Sequence, residues 1–205
     1  MLPEIERIIL AHRTLRKGKK GRDDQKSILR SAVLMLCGTW ELYCERVVLE
    51  AAFKIARCIS DHSGLPEAIE MQLKQEVHHE IWQKSDPMRL AGSGWRIEYV
   101  KIVNRKCRKL NTPKSANLDD LFKQCLGLKN ISKTWGEPSS EIDQFVSLRG
   151  EIAHRGSDSA GVSRDEASHY KHLISKVISA TDDAIYDHLK KTDLLGKAPW
   201  QKTGK

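Results

Sequence analysis

The chain has 205 residues, 40% of them hydrophobic, with only 13 Gly and 6 Pro, which suits one folded domain and excludes a fibrous or wholly disordered protein. Its formal net charge of +8 favours a polyanionic partner, nucleic acid first and an acidic membrane surface second. Five cysteines (Cys37, Cys44, Cys58, Cys107 and Cys125), an odd count with no Cys-x-x-Cys pair, argue against a disulfide frame or a zinc site and for reduced thiols in a cytoplasmic protein.

The N-terminus lacks a secretory pattern, and the longest apolar run, residues 32–37, is far too short to span a bilayer. Pro3 just inside the start, followed by Ile5, Ile8, Ile9, Ala11 and Leu15, predicts a first helix. It leads into a basic, Gly-punctuated connection carrying Arg13, Arg16, Lys17, Lys19 and Lys20. A positive loop of this kind can track phosphates and order on contact, or can simply be solvated. Asp23 and Asp24 then offer a cap for the longest helix. Its apolar residues run from Ile28 through Trp40 to Ile59 with no proline up to Ser60, which makes it the central strut. Glu41 shares a helical stripe there with Leu34, Cys37, Cys44 and Val48.

Residues 65–83 form another amphipathic pattern, with Ile69, Leu73, Val77 and Ile81 on one face. The adjacent His78 and His79 point different ways on a helix and make a poor metal pair. Residues 85–94 hold Pro87, Gly92 and Gly94 and read as a loop. A helix over 95–110 ends in the basic stretch Lys101, Arg105, Lys106, Arg108 and Lys109. Asn117 with Asp119 and Asp120 starts a short helix through Leu126, and residues 130–138 read as a loop. Ser163 and Glu166 form a capping-box pair that opens a last long helix carrying Ala167, Tyr170, Leu173, Ile174, Val177, Ile178, Ile185 and Leu189. His169 and His172, three apart, fit surface positions better than a metal site. Residues 192–205 are polar and read as a flexible tail.

The stretch from Leu148 to Gly156 concentrates the chemistry. A helix capped by Ser139 or Ser140 puts Ile142, Phe145, Val146, Ile152 and Ala153 on one apolar stripe. Arg149 falls on that stripe, where a guanidinium is costly unless a carboxylate, an anion or a second subunit meets it. Glu41, a carboxylate on an apolar stripe, is the natural partner; alternatively it lies at the edge of its stripe in solvent. His154 is five residues beyond Arg149, about 140° further around the helix. Gly156 supplies a stop.

The run Leu148-Arg149-Gly150-Glu151-Ile152-Ala153-His154 resembles the "L-R-N-x-I-A-H" form of the Arg-x4-His signature in the RiboL-PSP and MAE-type families of the HEPN superfamily. Residues Gly38 to Tyr43 resemble the aromatic-Glu segment of their first long helix, and residues 117–128 their short helix before the signature. The resemblance implies an all-α, HEPN-like up-and-down helical bundle: a single domain over residues 1–191, with its core at about 25–190. It also implies a homodimer whose signature residues line the interface, no cofactor, and a toxin–antitoxin or phage-defence setting with an antitoxin or defence partner. The sequence departs from the pattern at Gly150, where those families carry Asn or another polar residue. It departs again at Gly156, where some HEPN toxins carry the Tyr that a partner enzyme modifies with AMP.

No Gly-rich phosphate loop, zinc spacing or nucleophile elbow occurs, and acidic residues do not cluster as a two-metal nuclease needs. For a basic protein acting on RNA, His plus Arg is a sufficient metal-free set. An imidazole can take a proton from a 2′-hydroxyl or give one to the leaving 5′-oxygen, and a guanidinium can stabilise charge at phosphorus. The expected activity is therefore metal-independent endoribonuclease. His154 would act as acid/base, Arg149 as the phosphate ligand and Glu41 as the residue that orients it. Arg13, Arg16, Lys17, Lys19, Lys20, Arg105, Lys106, Arg108, Lys109 and Arg155 are the candidate RNA contacts. Gly150 fits a close helix–helix approach. The alternatives are a non-catalytic HEPN module that binds RNA or a nucleotide, and a structural helical dimer.

Overall fold

A computed structural model describes residues 2–14, 22–65, 67–82, 91–136, 139–159 and 161–191. The side chains of 12–14, 22–25, 64, 68, 76–77, 79–82 and 157 fall outside that description, as do the predicted contacts Arg13, Arg16, Lys17, Lys19 and Lys20 and the tail 192–205. Among the described residues there are seven α-helices and no strand: α1 (Leu2–Thr14), α2 (Arg22–Cys58), α3 (Glu67–Trp82), α4 (Gly94–Cys107), α5 (Ser115–Leu126), α6 (Ser139–Arg155) and α7 (Arg164–Lys191). No described helix is long and apolar enough to cross a membrane.

Helix α2 is the axis of the bundle. Its 37 residues contain no proline and only one glycine, so nothing interrupts the hydrogen-bond ladder over about 55 Å. It packs against α1, α4, α5, α6 and α7. A helix surrounded in this way buries several faces at once, and Leu36, Trp40, Cys44, Val48, Ala51, Ala52 and Ile55 are all buried. It begins at Arg22, so Asp23 and Asp24 lie in its first turn and not at its cap. At its other end, the Arg96 guanidinium donates to the carbonyls of Ile59 (2.8 Å) and Ser60 (3.3 Å). It therefore ties down the two residues that follow the helix end at Cys58.

Trp40 is the hub. It stacks on Tyr43 with ring centroids 5.7 Å apart and meets Trp135 edge-on at 5.8 Å. Its indole N–H donates to the Pro113 carbonyl at 3.1 Å. Trp135 lies in a short 3-10 turn, Ile131–Trp135, within the stretch expected to be a plain loop. The turn is pulled inward because Ile131 and Trp135 are buried. The Trp135 indole donates to the Thr181 hydroxyl (2.9 Å), which donates to the Val177 carbonyl (2.7 Å). No donor of that chain is left unpaired in the core.

Two helix starts show how caps are chosen. The Ser163–Glu166 box forms as read: the Ser163 amide donates to the Glu166 carboxylate (2.8 Å) and the Glu166 amide to the Ser163 hydroxyl (3.1 Å). Helix α5 instead starts at Ser115, two residues before Asn117. The Asp143 carboxylate of α6 accepts from both the Ser115 amide and its hydroxyl, each at 2.7 Å. Asp119, read as part of that start, accepts from the amide and hydroxyl of Ser132 at 2.8 and 2.7 Å. Helix α4 ends at Cys107, so Arg108 and Lys109 lie in the turn that follows it.

Candidate active site

Helix α6 presents Arg149 and His154. Its stripe of Ile142, Phe145, Val146 and Ile152 is buried, which fixes its rotation about its own axis. Ala153, read as part of that stripe, is exposed. The helix ends at Arg155, because Gly156 takes a positive φ of 54° that suits a glycine C-cap. His154 thus stands exposed on the last turn, while Arg149, about 7.5 Å back along the axis, is half-buried.

Arg149 faces α2. Burial pushes the Glu41 carboxyl above its ordinary value; the Arg149 charge opposes that and Glu45 adds to it. The Cys37 thiol, one turn before Glu41, is pushed by burial to about 11, again against Arg149 and with Glu41 adding. Glu41 and Arg149 are therefore electrostatic neighbours, as the two stripes suggest. They form no ion pair among the described residues, so Glu41 does not occupy the donors of the guanidinium. The Cys37 thiol beside it is protonated near neutral pH and hence a poor nucleophile.

Two glycines flank this neighbourhood. Gly38 follows Cys37 and Gly150 follows Arg149, both inside helices, and a Cβ placed on either meets nothing within 4 Å. The close approach expected at Gly150 is thus not made by any of the described residues. Each glycine costs its helix up to about 1 kcal/mol relative to alanine, with no contact among the described residues in return.

The remaining described sequence candidates lie on α6 and around the C-terminal end of α4. Arg155 lies 3.8 Å from Glu151 on the same helix. Lys106 donates to the Gln124 side chain of α5 at 2.6 Å, and Arg105, Arg108 and Lys109 are exposed around the end of α4. His169 meets Glu141 at 2.7 Å, and His172 is exposed, so both are surface residues as expected. Among the described residues, no group of three or more His, Cys, Asp or Glu is placed to hold a metal ion. Sequence reasoning missed Cys37 as a neighbour of Arg149. Its position four residues before Glu41 on the same stripe was the available signal.

No curated protein and no solved structure matches the chain. A family model described as RiboL-PSP-HEPN matches it over residues 2–187, a span that includes α1.

Proposed function

This chain belongs to the RiboL-PSP-HEPN family, and from that premise we propose that it is a metal-independent endoribonuclease acting as a homodimer in toxin–antitoxin or phage defence. The observation that carries the reading is the state of Arg149: half-buried on α6, beside Glu41 and yet without an ion pair to it. A guanidinium left in that condition suits a phosphodiester as its counter-ion. Glu41 biases its orientation through its charge, without occupying its donors.

In the proposed reaction the 2′-oxygen attacks phosphorus, the bond from phosphorus to the 5′-oxygen breaks, and a 2′,3′-cyclic phosphate and a 5′-hydroxyl form. One imidazole takes the 2′-hydroxyl proton and another delivers a proton to the leaving oxygen. Arg149 stabilises the charge that gathers on the phosphoryl oxygens. One protomer has a single His154, set about 140° around α6 from Arg149. Two copies related by a two-fold axis supply two of each around one cleft. Gly38 and Gly150, open on the protomer surface, support close packing between those copies. The setting in defence rests on family membership alone.

A second reading, a HEPN module that binds RNA or a nucleotide without cleaving it, is favoured by Gly150, which stands where the family pattern places a polar side chain. The deciding experiment is RNA cleavage in excess EDTA by the wild type and His154→Ala, purified side by side. Cleavage by the wild type alone, leaving cyclic-phosphate ends, is expected. Equal cleavage by both removes the role given to His154. No cleavage by a folded wild-type dimer moves the assignment to the binding module.

A further inference from the structure

Two adjoining cavities lie where the C-terminal end of α4 meets the polar face of α5 and the flank of α3. The first, about 340 Å³, has Lys106, Lys109, Asn111 and Asn117 in its walls. The second, about 690 Å³, adds Lys123, Lys129, Gln72 and Gln75. They share Lys106, Asp120 and Gln124, so the two adjoin as a two-lobed depression with those residues as the wall between. Both volumes fall in the range of about 300–1,000 Å³ typical of ligand sites.

The lining has a particular chemistry. Four lysines from α4, α5 and the connections after them face two carboxylates, Asp120 and Glu67, so the depression is net positive. Asp120 accepts from the Gln124 side-chain amide, whose oxygen accepts from Lys106 at 2.6 Å. That relay spends Asp120 on Gln124 and holds the Lys106 ammonium at the shared wall with two of its three donors remaining. The other polar groups are side-chain amides. Gln124 is thereby engaged at both ends, and the Gln72 and Asn117 amino groups each donate once within the chain, to the Gln124 and Thr112 carbonyls. Lysines alone would fit any polyanion, but the second N–H and the oxygens of Gln72 and Asn117, with Gln75 and Asn111, offer donors and acceptors together, the pairing that base edges require. Among the described residues, no aromatic side chain lines either cavity.

We propose that this depression is a subsite for single-stranded RNA, with phosphates on Lys106, Lys109, Lys123 and Lys129 and base edges on the amides of Gln72, Gln75, Asn111 and Asn117. The proposal rests on the ribonuclease reading and names where its substrate continues beyond the cleavage point. Helix α2 packs against both α4 and α6, so the depression beside α4 and the helix that carries Arg149 are held on one central strut. Unpaired bases are needed, because pairing engages the Watson–Crick edges that a single strand presents.

The test uses the full-length chain carrying His154→Ala, so that RNA survives, and a fluorescent random-sequence RNA 12-mer read by anisotropy. Adding Lys106→Ala and Lys123→Ala is expected to weaken binding by about tenfold or more. It should also shallow the slope of log K against log salt by about 1.4, or about 0.7 per phosphate contact on a single strand. Lys54→Ala with Lys176→Ala, the same loss of charge elsewhere, is expected to change the slope little. Lys123→Ala alone, at an exposed position, gives a smaller effect of the same sign and guards against misfolding of the double variant. If both double variants behave alike while Arg149→Ala loses affinity, the subsite is overturned and the ribonuclease reading stands. If the His154→Ala protein binds no RNA, both fall. If a poly-glutamate peptide displaces RNA as effectively as unlabelled RNA, the depression is a general polyanion site and the amide readout is overturned.

Discussion

Glu41 and Arg149, on helices far apart in the chain, share one electrostatic neighbourhood without forming an ion pair. A tight pair would neutralise the guanidinium and hold its donors. The looser arrangement keeps a carboxylate partly desolvated and a cation available, which is a costly state for a protein to carry unless a third charge completes it.

That cost has a sign that can be measured. Burial raises the Glu41 pKa above 4.5, so the folded state favours the neutral acid. The stability from this group is complete below the unfolded pKa and is lost as pH rises through the folded value. At pH 7 the wild type therefore carries a penalty that Glu41→Gln removes. Urea denaturation is expected to show the variant more stable at pH 7, with the difference vanishing below about pH 4.5. RNA cleavage by the same variant is expected to fall. A variant less stable at pH 7 would contradict the account.

Gly150→Ala separates a solvent-facing helix from an interface. The space around the position is open within the chain, so the monomer should gain about 0.5–1 kcal/mol from the lost glycine. If a second copy packs there, the dimer weakens at the same time. Sedimentation velocity over a concentration series is expected to show the variant dissociating at higher protein concentration than the wild type. Unchanged association would place the dimer contact elsewhere.

Thr181→Val keeps the side-chain shape but removes the acceptor of the buried Trp135 indole N–H. Leaving that donor unsatisfied is expected to cost about 1–3 kcal/mol, read as a lower urea midpoint with an unchanged slope. Thr181→Ser retains the hydroxyl and should lose less.

Asp143→Ala removes the carboxylate that caps α5 from α6. A lost helix cap costs about 0.5–2 kcal/mol. Hydrogen exchange should quicken first in the opening turn of α5, and an effect confined to α6 would count against the assignment.

Thiol labelling at pH 7.5 is expected to modify Cys58 well before the others. Cys58 is exposed, whereas Cys37, Cys44, Cys107 and Cys125 are buried, and burial holds the Cys37 and Cys107 thiols up at about 11 and 12. Rapid labelling of Cys37 in the native protein would mean that the neighbourhood of Arg149 is open to solvent.

The helices were legible because their signals are local. Proline-free periodicity marked α2, the Ser163–Glu166 pair marked the start of α7, and Gly156 marked the end of α6; each depends on residues within a turn of one another. The Arg149–His154 spacing and the chain's family were legible for the same reason, since both lie in a short contiguous run. Tertiary structure alone decided the α5 cap, which spans 28 positions, and the inward turn that buries Trp135. It also left Ala153 exposed, set the range between Glu41 and Arg149, and gathered lysines and amides from three helices into one depression. Periodicity states which residues share a face, but only packing decides what that face meets, because the energy of a cap, a buried charge or a pocket belongs to groups that the sequence does not place side by side.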